Sequence, residues 1–281
     1  MPTGMGFARR PRPARFRAPP RARARGINHL IGVALHPLAA QFASVADAYE
    51  RGRPEYAPAV VGALAAELRL APGAPVLDLA AGTGKLSRAL LAAGLDVVAV
   101  EPQPALRERL AAAIGADRVR EGVAEAIPLA DGSVAAVTVA DGFHWFDSGR
   151  ALPEIRRVLV QGGGLAVLTS LPDWSGASWA HELGTLIESG RPEHPFFDGP
   201  PWQDAARSAG GWGEPWEIRV SGSQPADPGR IVDYVASMSW VAGLPDDDRA
   251  RMLAEVAALV EGGETPAELT VHVVVGLTAR A

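Results

Sequence analysis

The chain contains no cysteine. It can therefore form neither a disulfide nor a thiolate zinc site, and it has no cysteine nucleophile. It also has no acidic residue before Asp47, although eight arginines lie in that stretch, namely Arg9, Arg10, Arg12, Arg15, Arg17, Arg21, Arg23 and Arg25. The formal net charge of -5 thus understates how acidic the rest of the chain is. An acidic body is a poor surface for nucleic acid.

The first segment is rich in arginine and proline and has too few apolar residues to close a core. We expect residues 1–40 to be a disordered extension, with a nucleic-acid-binding arm or a targeting peptide as the functional alternatives. The stretch that follows the arginines contains His29, His36 and Pro37, and it is too short and polar to span a membrane. The expected location is the cytoplasm, with no nucleic-acid or membrane partner.

From residue 57 to residue 170, helical and strand patterns alternate. The predicted strands are "APVLDLA", "DVVAVE", "DRVREGVA", "SVAAVTVA" and "GLAVLTS". The predicted helices are "APAVVGALAAELRLAPG", "KLSRALLAAG", "QPALRERLAAAIG" and "DSGRALPEIRRVL", the last with Asp147 as a candidate N-cap. Such alternation, with strands apolar on both faces, predicts a parallel sheet covered by helices.

The composition changes after Ser170, because six of the seven tryptophans lie beyond it: Trp174, Trp179, Trp202, Trp212, Trp216 and Trp240. They are expected to form a ligand pocket or core. Two further strands are predicted in "EPWEIRVSG" and "ELTVHVVVGLTARA", the second as an edge strand. Helices are predicted in "RIVDYVASMSWV" and "DDDRARMLAEVAALVEGG". The chain from 41 to 281 is expected to be a single domain.

The stretch "VLDLAAGTGKLSRAL" holds a glycine turn that does not match a phosphate-binding loop. That loop needs a glycine and a hydroxyl where this chain has Leu79 and Leu86, so we expect Lys85 to be a solvated residue at a helix start. A dinucleotide fingerprint fits in part, since Gly82 and Gly84 are in place but the third small position is serine.

Two acids favour a different ligand. Asp78 ends the first strand and faces the turn, where it would repel a pyrophosphate and suit an amino group. Glu101 ends the second strand, at the distance where a carboxylate accepts hydrogen bonds from ribose hydroxyls. The turn therefore suits an adenosine-like ligand without a pyrophosphate.

These segments resemble the class I S-adenosylmethionine-dependent methyltransferases. "VLDLAAGTGKL" resembles that family's first motif, "VVAVEP" its ribose-binding motif, and "GVAEAIPLADGSVAAVTVADGFHWFD" its adenine-binding loop and fourth strand. "IRRVLVQGGGLAVLTS" resembles the fifth-strand motif, and "ADAYERGRPEYAP" the lead-in that closes over the cofactor. The most similar branch acts on small molecules and includes the trans-aconitate methyltransferase-like proteins.

The resemblance implies a Rossmann-like α/β fold, a seven-stranded, mostly parallel sheet with helices on both faces and helical cap elements. Residues 41–170 would form the cofactor-binding core, and residues 171–281 the acceptor and cap elements with the last two strands. The cofactor would be S-adenosyl-L-methionine, the acceptor a small molecule methylated on O, N or C, and no metal is implied. The implied cofactor-binding residues are Tyr49, Arg53, Asp78, Ala80, Gly82, Gly84, Glu101, Pro102, Gln103, Ala124, Glu125 and Asp141.

The chain departs from the family pattern at two cofactor positions. Ala80 stands where many members have the first glycine of the turn. Val123 stands where many have aspartate, so recognition of adenine would rest on backbone groups at Ala124 and Glu125.

Histidines are the remaining candidates for a catalytic base or a metal ligand. His144, in "FHWF" after the fourth strand, is a candidate general base because the usual pKa range of imidazole suits that role; the alternative is a pocket wall. The pairs His181–Glu182 and Glu193–His194 lack metal-ligand spacing and are expected to be surface helix residues. An NAD-dependent oxidoreductase and a catalytically silent scaffold of the same fold are the rival functions.

Removing residues 1–26 is expected to leave the thermal midpoint and the cofactor affinity nearly unchanged, because a Pro/Arg-rich segment with few apolar groups buries little surface. Thermal unfolding and calorimetry of the truncated chain check this. A midpoint lower by many degrees would show that the segment belongs to the fold.

Overall fold

The sheet has seven strands in the described chain. The structure is a computed structural model that describes residues 35–281. The strands are β1 Pro75–Leu79, β2 Asp96–Val100, β3 Val119–Arg120, β4 Val134–Ala140, β5 Leu159–Asp173, β6 Trp216–Pro225 and β7 Glu268–Ala279. Their order is β3-β2-β1-β4-β5-β7-β6, and β7 runs antiparallel to both of its neighbours while the β1–β5 pairings are parallel. The predicted Rossmann-like, mostly parallel sheet is confirmed.

The α-helices of the described chain lie between and before these strands. They are α1 Ala46–Gly52, α2 Pro58–Glu67, α3 Lys85–Ala92, α4 Pro104–Ile114, α5 Ser148–Val158, α6 Ala180–Gly190, α7 Pro195–Asp198, α8 Trp202–Ala209, α9 Pro228–Ala236, α10 Ser239–Ala242 and α11 Asp246–Glu261. Short 3-10 turns cover Ala39–Val45, Ala116–Arg118 and Phe143–Trp145. The first of these turns, with Leu35 and His36 before it, begins inside the segment expected to be disordered. Residues 1–34, including His29, lie outside the described residues.

The central strands are apolar throughout because helices cover both faces of the sheet. Side chains alternate between faces along a strand, so Val76 joins the core beneath α2 and α3, whereas Leu77 joins the core beneath α5. Leu64 of α2 and Ile155 of α5 are fully buried on these two sides. Burial of this kind stabilises a domain by about 25 cal/mol per Å² of apolar surface.

A third core lies under the helical cap. It joins residues of α6, α9, α10 and α11, including Leu183, Ile231, Trp240 and Val256. In the part of the chain that the structure describes, no helix is long and apolar enough to cross a membrane.

The prediction that the last strand lies at the sheet edge was wrong. β7 pairs with β5 on one side and β6 on the other, so β6 forms the edge. The physical reason is visible in burial, since β6 alternates strictly between half-buried and exposed positions, whereas Val273, Val275 and Leu277 of β7 are buried in the core.

Two helix predictions also need correction. The helix expected over residues 230–241 is two helices, because α9 ends at Ala236 and Met238 has an extended backbone before α10 begins. Asp147 does precede α5, but its side chain accepts no capping hydrogen bond. Its backbone N–H instead donates to Glu125 Oε1 at 2.8 Å.

Candidate active site

A cavity of about 280 Å³ opens where the parallel strands end. This is the edge at which open α/β sheets bind ligands, and the volume is close to the ~300 Å³ lower bound of small-molecule pockets. The predicted residues that line it are Tyr49, Arg53, Ala80, Gly82, Glu101, Pro102, Gln103, Ala124, Glu125, Asp141 and His144. Asp78 and Gly84 are not among its lining residues.

The turn after β1 needs backbone conformations that favour glycine. Gly82 has φ +59° and Gly84 φ +91°. At Gly84 an added Cβ would lie 2.7 Å from Leu110 Cδ1, so the glycine also permits close packing of the turn on α4. Ala80 has φ +57°, a left-handed conformation that costs a non-glycine residue about 1–2 kcal/mol. That cost explains why a glycine would suit this position.

Glu101 is the best-defined acid of the cavity. Its side chain is buried, and its two carboxylate oxygens accept hydrogen bonds of 2.9 Å from the backbone N–H groups of Gly82 and Gln103. Burial raises the pKa of Glu101 to about 7, although these two hydrogen bonds and the nearby Arg107 guanidinium favour the ionised form. The carboxylate therefore joins the glycine turn to the start of α4 and remains on the cavity surface.

Asp78 lies beneath the turn. Its carboxylate accepts hydrogen bonds from Ser87 Oγ at 2.5 Å and Thr138 Oγ1 at 3.3 Å, and the residue is almost fully buried. Burial raises its pKa to about 6, with the two hydroxyls opposing that shift. This geometry gives Asp78 a role in ordering the turn, and its direct contact with a ligand amino group stays a prediction.

The prediction that Lys85 is solvated was wrong. Only 4 % of the residue is exposed. Its Nζ donates to the Glu50 carbonyl at 2.8 Å and pairs with the Glu55 carboxylate. The Glu50 carboxylate also accepts from Thr83 Oγ1 at 2.7 Å and from Arg88 at 2.8 Å. These contacts tie α1 to the glycine turn, which the sequence spacing of more than 30 residues did not reveal.

Arg53 approaches the cavity from the segment after α1. Its Nε donates to Ser237 Oγ at 2.9 Å, and its guanidinium lies 4.5 Å from the ring centroid of Tyr234 and 5.6 Å from that of Tyr49. The described residues give its two terminal nitrogens no hydrogen-bond acceptor. A cation with free donors beside a cavity is suited to a carboxylate ligand.

Asp141 follows β4 in a left-handed conformation with φ +50°. Its carboxylate accepts from Ser170 N at 3.1 Å and from Tyr56 Oη at 3.2 Å. These hydrogen bonds hold the unusual backbone in place, and strained residues of this kind cluster at functional sites.

Three imidazoles contribute to the cavity wall. His36 and His194 each accept a backbone N–H at Nδ1, from Leu38 and Phe196 respectively, both at 3.2 Å. His194 Nε2 also lies 3.0 Å from Ser239 Oγ. The described residues form no hydrogen bond with His144, so its ring nitrogens are free for a ligand.

The pKa values of these three histidines are lowered, so their rings are uncharged at neutral pH. Burial and then the charges of His194 and Arg53 lower the pKa of His144 to about 3. Burial and the Arg191 charge lower that of His194 to about 4. A pKa this low makes the His144 ring a weak proton acceptor, which favours the wall alternative, and its role as a general base stays a prediction.

His194 also contradicts the expectation for the Glu193–His194 pair. The histidine is buried and precedes α7, where its side chain caps the helix by accepting the Phe196 N–H. His181 and Glu182 are exposed on α6 as predicted.

Aromatic side chains make up much of the remaining wall. Trp145 lies 4.5 Å from the His144 ring, 5.0 Å from that of His194 and 6.0 Å from Phe42, measured between centroids. Of the late tryptophans only Trp240 lines the cavity, and the others pack elsewhere.

Sequence reasoning missed several wall residues. They are His36, Phe42, Ile187, His194, Phe196 and Phe197. Three of them, His194, Phe196 and Phe197, lie in the aromatic cluster "EHPFFD", but no spacing rule connects that segment with the glycine turn.

Comparison with known proteins agrees with this geometry. A model of the methyltransferase domain family matches residues 77–167. The chain is 39% identical over 219 residues to the uncharacterized methyltransferase Rv3342 of Mycobacterium tuberculosis, covering 78% of this chain and 85% of that protein. A demethylmenaquinone methyltransferase of Thermus thermophilus is 44% identical over 109 residues, covering 36% of this chain and 50% of that one.

The fold has counterparts among solved structures. One is a candidate methyltransferase from an antibiotic biosynthesis pathway of Anabaena variabilis, with a TM-score of 0.54 and 21% identity over 79% of this chain and 98% of that one. The chain belongs to the class I S-adenosylmethionine-dependent methyltransferases. It is therefore an enzyme of that class, with S-adenosylmethionine as cofactor, and the rival oxidoreductase and scaffold functions are set aside. The trans-aconitate methyltransferase-like subgroup stays a prediction.

Proposed function

We propose that the protein methylates an oxygen, nitrogen or carbon atom of a small organic molecule bound in this cavity. The observation that carries the proposal is the buried Glu101 carboxylate, held by two backbone amides at the cavity surface beside the glycine turn. A demethylmenaquinone methyltransferase among the relatives supports a small-molecule acceptor.

The residues present fit the cofactor. Glu101 would accept hydrogen bonds from the ribose hydroxyls, because a carboxylate oxygen that already accepts one N–H retains a further lone pair. The buried backbone of Ala124 and the neighbouring Glu125 would meet the adenine. The Arg53 guanidinium, with Tyr49 beside it, would hold the carboxylate of the amino-acid end.

Further contacts would come from backbone groups. Ala80, Gly82 and Asp141 line the cavity and would meet the amino-acid end of the cofactor, whereas Pro102 and Gln103 would meet its ribose. Gly84 would act through the packing of the turn on α4.

When bound, the cofactor supplies a methyl group on a sulfonium, which is a good leaving group. The protein must therefore chiefly align the acceptor, exclude water and hold the acceptor's protonation state. His36, Trp145 and His144 line the cavity with adjoining rings, and the acceptor would lie against them. An acceptor that is already ionised, or acidic enough to ionise there, needs no protein base.

His144→Gln is expected to lower turnover by less than about tenfold and to change mainly the acceptor KM, because a group whose pKa is lowered to about 3 is a weak proton acceptor. Turnover against pH, measured for wild type and variant with one acceptor, checks this. A loss of about 100- to 10,000-fold together with the disappearance of the acidic limb would show instead that His144 is the base.

Cofactor affinity is expected to rise with pH. The carboxylate must be ionised to accept both ribose hydroxyls, and the pKa of Glu101 in the free protein is about 7. Protonation therefore competes with binding below that value, and affinity should fall by about tenfold from pH 8 to pH 6. His144 and His194, with pKa values lowered to about 3 and 4, do not titrate in this window.

Calorimetry with S-adenosylhomocysteine across this range measures the effect. Glu101→Gln serves as the control, because it retains the ligand's own titration and that of Asp78 but loses the Glu101 carboxylate. A wild-type curve parallel to that of the variant would contradict the assignment.

The acceptor class is tested by incubating the full chain with methyl-labelled S-adenosylmethionine and a panel of phenols, carboxylic acids, amines and acidic carbon compounds. Mass spectrometry identifies a product one methyl heavier. Cofactor that binds tightly but labels no small molecule, while labelling added protein or nucleic acid, would contradict the proposal.

A further inference from the structure

We propose that the acceptor carries an apolar chain that leaves the cavity between Leu171, Phe196 and Phe197. This inference rests on the proposed function, since it assumes that the acceptor occupies the cavity. We call these three residues the apolar mouth. Leu171 belongs to β5, whereas the two phenylalanines belong to α7.

The mouth is identified by exposure. Among the cavity-lining residues, the exposed ones are Leu171 at 41 %, Phe196 at 37 % and Phe197 at 59 %. In the described chain only one other large apolar side chain is exposed, Val160 at 36 %. Three of the four exposed large apolar side chains thus line one cavity, and exposure concentrated in this way marks a binding surface.

The mouth continues the inner wall of the cavity. The Phe196 ring contacts the His144 ring edge-to-face at 5.2 Å between centroids and the Phe197 ring at 4.8 Å. These ring contacts lead from His144 on the cavity wall to the exposed ring of Phe197. A chain attached to an acceptor beside His144 would follow that path.

Charge around the mouth does not favour a polar extension. Arg191 lies 4.3 Å from the Phe197 ring, but its guanidinium is paired with Asp198 at 2.9 Å. The same aspartate accepts the backbone N–H of His194 at 2.7 Å, which fixes α7 against the cavity. A polar group outside the cavity would therefore meet apolar rings and a neutralised cation, whereas an apolar chain would remove the rings from water.

A short polar acceptor would leave these side chains exposed to water. The acceptor is therefore amphiphilic, with a small polar head that receives the methyl group and an apolar chain. The main competing occupant of the apolar mouth is the protein's own N-terminal segment, residues 1–34. Leu35 and His36, which follow that segment directly, line the same cavity.

The test compares two probes with one head group, 4-ethylphenol and 4-octylphenol, titrated into the full chain with S-adenosylhomocysteine present. Since each buried methylene contributes favourably, we expect the octyl compound to bind at least about tenfold more tightly. Phe197→Ser and Leu171→Ser should each reduce that ratio by about threefold or more. Val160→Ser, which changes an exposed apolar residue outside the cavity, should leave it unchanged.

The outcomes separate the two proposals. A ratio that does not depend on the mouth residues, or that falls equally in Val160→Ser, would overturn the apolar-chain inference. A ratio that rises several-fold when residues 1–34 are deleted would overturn it in favour of that N-terminal segment as the occupant of the mouth. Failure of the wild type to bind S-adenosylhomocysteine would instead overturn the proposed function.

Discussion

Replacing Glu101 with alanine is expected to weaken S-adenosylmethionine binding by about 1–3 kcal/mol, or roughly 5- to 150-fold. The loss should approach the upper end of that range for two reasons. The ribose hydroxyls lose a charged acceptor, and the backbone N–H groups of Gly82 and Gln103 lose the partner that orders the turn.

Calorimetry of three variants resolves these contributions. Glu101→Gln keeps the side-chain shape and one carbonyl acceptor, so its affinity should be intermediate. Glu121→Ala removes an exposed acid that pairs with Arg107, and it should bind like the wild type. Unchanged affinity in Glu101→Ala would contradict the ribose assignment.

Substituting alanine for Gly52 is expected to destabilise the fold by about 3 kcal/mol or more, at the upper end of overpacking costs. An added Cβ would lie 2.3 Å from Tyr234 N and 2.4 Å from Asp233 C, which are backbone atoms of α9 that cannot rotate away. The helices must therefore separate. The ion pair of Arg51 with Asp233, with Nε to Oδ2 at 2.7 Å, would be strained as well.

A shift of α1 should also change the active site, because α1 contains Tyr49 and Arg53 follows it directly. Cofactor affinity should fall together with stability in Gly52→Ala. The matched control is Gly62→Ala in α2, where nothing lies within 4 Å of the added atom and the change should stabilise the helix by about 0.5–1 kcal/mol. Denaturant unfolding should show a lower free energy of unfolding for Gly52→Ala and a higher one for Gly62→Ala. Equal unfolding midpoints for the two variants would contradict the prediction.

The cofactor half of the site was predictable because its signals are local. The glycine turn follows β1 directly, and Glu101 ends the next strand, so parallel pairing alone brings them together. Burial was harder to predict. Asp78 was expected to face the glycine turn, yet its carboxylate bonds with hydroxyls of α3 and β4. Lys85 was expected to be solvated, yet the segment around α1 covers it.

The acceptor half escaped sequence analysis because its contacts are distant along the chain. His194 of the cavity wall meets Ser239 across 45 residues. No period or motif marks that separation. The edge position predicted for β7 was wrong for a related reason. Partial alternation of apolar and polar residues along a strand does not show that another strand, here β6, pairs with its second side.

The most direct test of the account is a crystal structure of the full chain with S-adenosylhomocysteine bound. Both ribose hydroxyls should lie within hydrogen-bond distance of the Glu101 carboxylate, with adenine beside Ala124 and the sulfur facing the space between His144 and the apolar mouth. A nucleoside bound elsewhere, or a Glu101 carboxylate without contact to the ribose, would contradict it.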